Sequence, residues 1–498
     1  MSIKKLAGET AIYGGAHISG KLINFLLLYV HTDIFPADKF GIQTFIYSVI
    51  PFLSVLFTYR IEVAYFRYGS DKGISEASVY ATTAISVFIS TLLFGGVTAL
   101  FIPSLLSFTT YANYESLFFL ALLILCIDSI NSVFYAKLRL DGRPFKFALA
   151  QLGGIVITVF MNLVFFYYLP QFSKNEWIST FYNQDYGIGY IFVANLLGSF
   201  SSFLMLSPLI AKIQWRAFDW AIWKKMIHFA APLILVGLSF VVNELFDRLV
   251  LPVLAPGETQ ADRDAQLGIY GAMYKLTMFI ALFRQAFQYA GEPFFFHQKT
   301  SENAQQVYAD IAKFFTIIVS IGFLFVMLYL DILKYLIANP IYWEGLPIVP
   351  ILLMANLLLG VYYTFSVWYK ITDRTIWGAY ISLIGAAITV ILNLLFIPKF
   401  GYVAAAWTTL AAYGTMTIAS YVAGQRFYKV PYQTGRIVAY IGLAWLGYEI
   451  STYVKDWVGH QWILGLALNS LIMLGYLIVI VLLEWKTIQQ YFLRRKLG

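Results

Sequence analysis

Charge is scarce in this chain: Lys, Arg, Asp and Glu make up 12% of its 498 residues, about half of what a soluble domain carries. Cysteine is nearly absent, and the single thiol, Cys126, stands inside the apolar run from Leu117 to Phe134. One cysteine excludes a disulfide framework, and its aliphatic surroundings suit a small packing residue. HExxH, GxSxG and Walker patterns do not occur. The longest segments between apolar runs on the less basic side, Pro170 to Gly187 and Leu251 to Gln266, hold neither His nor Cys. A membrane polymerase or ligase, which would need an acid, base or nucleophile set there, is therefore disfavoured.

What the chain has is apolar surface, with 60% hydrophobic residues and a mean hydropathy of +0.72. Runs of roughly twenty apolar residues, enough to cross a ~30 Å hydrocarbon core, recur throughout and predict about fourteen helices. They fall near 9–31, 40–66, 78–101, 116–137, 146–169 and 188–211, then 227–250, 267–292, 313–336, 346–370, 376–397 and 402–423, and finally 437–453 and 462–484. The expected class is an all-α integral membrane protein. Lys4 and Lys5 precede the first run, but that run carries His17, Lys21 and Asn24 and has no small-residue cleavage pattern, so it reads as a retained helix. Pro51, Pro232 and Pro293 are expected to kink or end their helices.

The short loops say which way the chain is threaded. With both termini in the cytoplasm, Lys72, Lys137, Arg139, Arg143, Lys146, Lys212, Arg216, Lys224, Lys225, Lys313, Arg494, Arg495 and Lys496 fall inside. Only Lys39, Lys174, Arg263, Lys334, Lys399 and Lys455 fall outside. The net charge of +8 thus reads as topology signalling and contact with anionic membrane lipids; nucleic acid would need a basic soluble domain that is missing. Trp177, Trp215, Trp220, Trp462 and Trp485 lie near helix ends, at the depth where indole rings anchor in headgroups.

The two halves are related. Gly41 opens the second helix and Gly268 the eighth, 227 positions apart, and at that offset Tyr47 meets Tyr274 and Phe52 meets Phe279. Ile157-Thr158-Val159 with Asn162 and Phe165 recurs, 231 positions on, as Ile388-Thr389-Val390 with Asn393 and Phe396. Such repetition indicates duplication. Six crossings per copy keep the orientation, so two parallel bundles with a cleft between them are expected, as in transporters that rock one bundle against the other. The division is 1–212 and 227–425 for the lobes, 213–226 for a cytoplasmic linker, and 426–498 for an additional helix pair.

Charges at membrane depth are costly and usually face protein or a wet cavity. Lys21 lies about 15 to 20 Å from either end of its helix at 1.5 Å per residue. Arg284 is about 24 Å into the eighth helix, and its equivalent, Phe57, is three residues from Arg60, on the same helix face. Lys275 is shallower, where snorkelling is an equal reading. Lys21, Arg60, Arg284 and Lys275 are therefore candidates for binding an anionic, membrane-borne group such as a diphosphate, gripped bidentately by Arg and by point charge from Lys. Glu244 and Asp247, three apart on the seventh helix, with Asn393 or Thr408, offer oxygen ligands for Na⁺ or a carboxylate for H⁺; solvation or pairing with Arg248 is the alternative. Asn162 and Asn393 also suit helix-to-helix hydrogen bonding. No catalytic residue, metal site or bound cofactor is expected.

Three stretches carry a family resemblance: Lys4-Lys5-Leu6-Ala7-Gly8-Glu9-Thr10-Ala11-Ile12-Tyr13-Gly14, Tyr59-Arg60-Ile61-Glu62-Val63-Ala64-Tyr65-Phe66-Arg67 and Leu267-Gly268-Ile269-Tyr270. Through them the chain resembles the oligosaccharide-flippase (polysaccharide transporter) branch of the multidrug, oligosaccharidyl-lipid and polysaccharide exporter superfamily, over nearly its whole length. The resemblance implies a twelve-helix, two-lobe core with a V-shaped cleft, followed here by the extra pair. It implies a bacterial inner-membrane protein, not an enzyme, that exports undecaprenyl-diphosphate-linked sugars for O-antigen, capsule or lipopolysaccharide-type polymers, beside the glycosyltransferases or polymerase of that pathway. Lipid II flippases look similar and place cations on the first, second and eighth helices; Lys21, Arg60 and Arg284 occupy them here, with Lys where Arg is usual in the first. A cation-coupled drug exporter of the same superfamily, resting on Glu244 and Asp247, is a further alternative.

Overall fold

The computed structural model describes residues 3–71, 73–172, 175–298, 301–459 and 461–497. Lys72 and Lys174, and the side chains of Lys4, Lys5, Pro293, Arg494, Arg495 and Lys496, lie outside what is described. Among the described residues all regular structure is helical, as hydrocarbon requires of a chain whose backbone groups must bond within their own segment. The helices are α1 (Ile3–Ile34), α2 (Ala37–Thr58), α3 (Ile61–Gly69), α4 (Glu76–Ser107), α5 (Glu115–Leu140) and α6 (Pro144–Leu163). There follow α7 (Glu176–Ser179), α8 (Gly189–Leu206), α9 (Trp220–Leu254), α10 (Gln260–Leu276), α11 (Met278–Gln298) and α12 (Ala304–Leu328). The last are α13 (Leu330–Leu333), α14 (Val349–Phe365), α15 (Val367–Ile371), α16 (Ile376–Phe427), α17 (Thr434–Val458) and α18 (Trp462–Leu497).

Among the described residues, eleven helices are long and apolar enough to cross a membrane, or twelve when α10 and α11, bent by 50° at their junction, are taken together. The difference from the expected fourteen has two sources. α1 carries His17, Lys21 and Asn24, which dilute its apolar character, and α16 contains two of the expected segments, broken at Gly401, whose φ is 55°. Helix continues through Pro51 and Pro232, so neither ends its helix. The second crossing breaks instead at Tyr59 and Arg60, both left-handed, with φ of 35° and 59°.

The chain divides into two compact units. The first comprises Met1–Lys275, Ala338–Glu344 and Ser382–Thr408. In it α1 packs along α6, α6 along α8, and α5 between α4 and α8, while α9 lies against α2 and α3. The second comprises Leu276–Ile337, Gly345–Ile381 and Thr409–Gly498, with α12 packed against α14, α17 and α18. One expectation fails there. Lys313, read above as a cytoplasmic loop residue, is 1% exposed inside α12, its Nζ 2.7 Å from Oε2 of Glu484 in α18. A carboxylate near the end of one apolar run has captured it, because a buried ammonium is tolerated only when paired.

Within the first unit the two glycines that mark the duplication touch. A Cβ on Gly41 would lie 1.8 Å from the Asp264 carbonyl oxygen, and one on Gly268 would lie 2.0 Å from that of Ala37. Ala37 and Asp264 are themselves equivalent at the offset of 227, so the contact is reciprocal, as across a two-fold axis. Thr44 and Gly271, one turn on and again equivalent, meet with Thr44 Oγ1 3.0 Å from the Gly271 Cβ position. Small residues here let α2 and α10 approach backbone to backbone, the means by which membrane helices associate without a hydrophobic drive. Replacing Gly41 or Gly268 by Ala is expected to cost about 1–3 kcal/mol through overpacking. Gly442→Ala, where nothing lies within 4 Å, should be neutral in the same thermal-unfolding assay in detergent.

Candidate functional site

The break after α2 sets the position of Arg60. Two successive left-handed, non-glycine residues cost on the order of 1–3 kcal/mol each, and the first is anchored. The Tyr59 hydroxyl hydrogen-bonds Oγ of Ser86 in α4, which also accepts from Trp223 Nε1 at 2.6 Å. Arg60 then lays its guanidinium on α9 at Gly237: a Cβ there would stand 2.7 Å from Nε and 2.9 Å from Nη2. Its Nη1 is 3.7 Å from Oε1 of Glu62, and the side chain stays 35% exposed. The arginine thus has a fixed seat on protein and an open side.

Lys21 is half-buried on α1, one turn beyond His17, whose Nδ1 lies 3.3 Å from Nε2 of Gln151 in α6. Lys275 is half-buried near the end of α10, with Nζ 5.1 Å from the centre of the Phe40 ring. Arg248 and His31 are its electrostatic neighbours. Arg284 belongs to the second unit, where it is 5% exposed and packs its guanidinium 5.2 Å from the Tyr363 ring centre. Arg60 and Arg284 differ in local backbone setting. Arg60 caps a helix break, whereas Arg284 lies within unbroken α11, and the bend of the second copy falls at Thr277, equivalent to Ile50.

The acidic group is closely built. Asp247 is 3% exposed; its Oδ1 accepts the Arg248 backbone N–H at 2.7 Å, and its Oδ2 accepts the Tyr270 hydroxyl. Arg248 covers the Tyr274 ring at 4.3 Å, a cation–π contact that offsets lost hydration. Glu244 is half-buried one turn before Arg248. Asn243 donates to the Ser382 carbonyl at 2.9 Å and accepts from Thr389 of α16 at 3.3 Å. One turn further along each helix come Asp247 and Asn393.

The duplicated asparagines differ. Oδ1 of Asn162 is 2.9 Å from Nε2 of His31, and Nδ1 of that ring is 3.4 Å from Nε2 of Gln43. This fastens α1, α2 and α6. Asn393 is 1% exposed, and among the described residues neither its Nδ2 nor its Oδ1 has a hydrogen-bond partner. An unsatisfied buried amide costs about 1–3 kcal/mol, so it invites a ligand. Carboxylate, amide and the buried Thr408 hydroxyl are hard oxygen donors suited to a small cation. Sequence reasoning missed His31, Gln43, Tyr270 and Gly237; of these only Tyr270, next to the duplicated Gly268-Ile269, carried a signal.

No family model matches the chain, and no curated protein matches it. Its likeness to known proteins lies in three dimensions. An inward-facing multidrug resistance transporter of the MATE family has a TM-score of 0.60 at 15% identity, covering 88% of this chain and 96% of that one. A transporter from Pyrococcus furiosus, described as having a binding pocket of reversed polarity, has a TM-score of 0.53 at 15% identity over the same shares. Both are described as members of the MOP superfamily, and this chain shares their fold. It is similar in particular to the lipid II flippase MurJ in an inward closed conformation, with a TM-score of 0.72 at 14% identity over 96% of this chain and 99% of that one.

The contrast between the asparagines is measurable. Asn162→Ala should lower stability by about 1–3 kcal/mol by leaving Nε2 of the buried His31 ring without its partner. Asn393→Leu should leave stability in ion-free buffer unchanged or raise it, since it removes an unsatisfied group. Thermal unfolding of both purified variants checks the pair.

Proposed function

We propose that the chain is a flippase for undecaprenyl-diphosphate-linked oligosaccharides, working by alternating access in the bacterial inner membrane during assembly of surface polysaccharide. The observation that carries this reading is the seating of Arg60 on Gly237 at a helix break within the membrane. A guanidinium held against main chain with one side open can take a phosphate by paired hydrogen bonds. Lys21 and Arg284 supply further positive charge on α1 and α11, and Lys275 a fourth on α10. In this reading 1–212 and 227–425 are the two lobes, 213–226 is a cytoplasmic linker, both termini are cytoplasmic, and glycosyltransferases or a polymerase act before and after it.

Transport of lipid II is the second reading, favoured by likeness to the lipid II flippase along nearly the whole of both chains. The diphosphate chemistry is common to both, and the head group attached to it distinguishes them.

We further propose that Na⁺ or H⁺ is coupled through Asp247 and Asn393, with Glu244 and Thr408 as further oxygen donors. A single bound cation that stabilises one conformation would shift the population of states by its differential affinity alone.

Lys21→Ala, Arg60→Ala and Arg284→Ala should each insert normally yet reduce flipping of a lipid-diphosphate sugar in proteoliposomes by about tenfold or more, the effect of one lost charged hydrogen bond. Gly237→Ala should reproduce the Arg60→Ala loss by unseating the guanidinium. Full activity in Lys21→Ala and Arg284→Ala would sink the cationic reading. For coupling, Asn393→Ala should make flux indifferent to Na⁺ and pH gradients; a variant still driven by either gradient would remove the ion site.

A further inference from the structure

The second unit contains a cavity of about 780 Å³ where the hairpin of α17 and α18 meets the end of α12 and the start of α14. Its walls are fastened independently of what fills it. Nδ2 of Asn469 donates to the Leu328 carbonyl at 2.7 Å, and its Oδ1 accepts from Ser451 at 2.8 Å. Tyr329 and Ser470 hydroxyls are 2.8 Å apart. Towards the other end of the hairpin, Glu484 is 2% exposed and holds Lys313 at 2.7 Å, Arg436 at 3.0 Å and Tyr440 at 2.6 Å. The hairpin is thus pinned at both ends, and the hollow is a fixed part of the fold.

The lining is divided. Asp331, in α13, receives Lys334 at 3.1 Å and Lys455, of α17, at 2.9 Å. Burial works against its charge, yet the two ammonium groups hold its carboxyl below the ordinary value, so the rim carries one net positive charge. Leu346, Pro350, Val454 and Leu466 make the apolar part. Trp462, 71% exposed, and Tyr448 also line it, amphipathic rings of the kind found at headgroup depth. Two of the few cations that threading assigns to the less basic side are spent here on one carboxylate.

From this we infer that the cavity is a binding site for an anionic phospholipid, its phosphodiester beside Lys334 and Lys455 and its glycerol and upper acyl chain against the apolar wall. One negative charge neutralises the rim. Gln461 offers a polar group to headgroup hydroxyls, and the acyl chain covers the apolar wall of a cavity that is partly open. The added helix pair thereby becomes a lipid-reading element, whichever substrate the rest of the chain moves.

The test is binding, so it stands apart from transport. The full chain, purified in detergent and stripped of lipid, is titrated with phosphatidylglycerol, phosphatidylethanolamine or inorganic phosphate, read by native mass spectrometry and by the unfolding midpoint. Phosphatidylglycerol should leave one retained adduct and raise the midpoint; phosphatidylethanolamine should bind at least about tenfold more weakly. Lys334→Gln with Lys455→Gln should lose the adduct. Gly465→Phe, at a pocket glycine whose Cβ would have only Val458 Cγ1 within 4 Å, at 3.9 Å, should also lose it while its lipid-free midpoint is unchanged, which separates occupancy from folding. Equal retention of phosphatidylglycerol by both variants, or stabilisation by inorganic phosphate alone that displaces the lipid, would overturn the assignment.

Discussion

Hydrocarbon gives a charged side chain no partner, so each such group within the membrane must find compensation in the protein or in water. Much of the polar architecture here follows from that. Asp247 is answered by a backbone N–H and the Tyr270 hydroxyl. Arg248 and Lys275 lie over aromatic rings, Lys313 and Glu484 answer each other, and Arg60 rests on main chain at Gly237. These solutions differ in how complete they are. Lys313 and Glu484 are sealed, while Arg60 keeps one side open, and incompleteness of that kind distinguishes a site from a strut.

Hydrophobic run length located most of the helices, because the length of a membrane span is set by bilayer thickness. The duplication was visible for a related reason: Gly41 and Gly268 stand at a backbone contact that no other residue fits, so both copies retain them. The break at Tyr59 and Arg60 could not be read. It contains neither proline nor glycine, and it is produced by Ser86 and Trp223, which come from α4 and α9. Pro51 and Pro232, expected to kink or end their helices, stand inside helices that continue past them, as neighbouring helices in membranes permit.

The candidate ligands were legible as residue types but not as states. Asn162 and Asn393 are identical in the repeat, yet His31 satisfies one and nothing described satisfies the other. Lys313 was misplaced because its partner lies 171 positions away, beyond any local pattern. Both cases concern long-range pairing in a medium where polar groups are few, so a single partner decides a residue's role.

The reciprocal crossing of α2 and α10 bears on how the halves came to differ. In an unduplicated ancestor the same contact would have joined two identical chains, and every substitution beside the axis would have been felt twice. In a single chain the two helices are free of that constraint. Ser48 and Lys275 occupy matching places along the two helices, yet one is a small hydroxyl and the other a cation, an asymmetry that two identical chains could not have expressed.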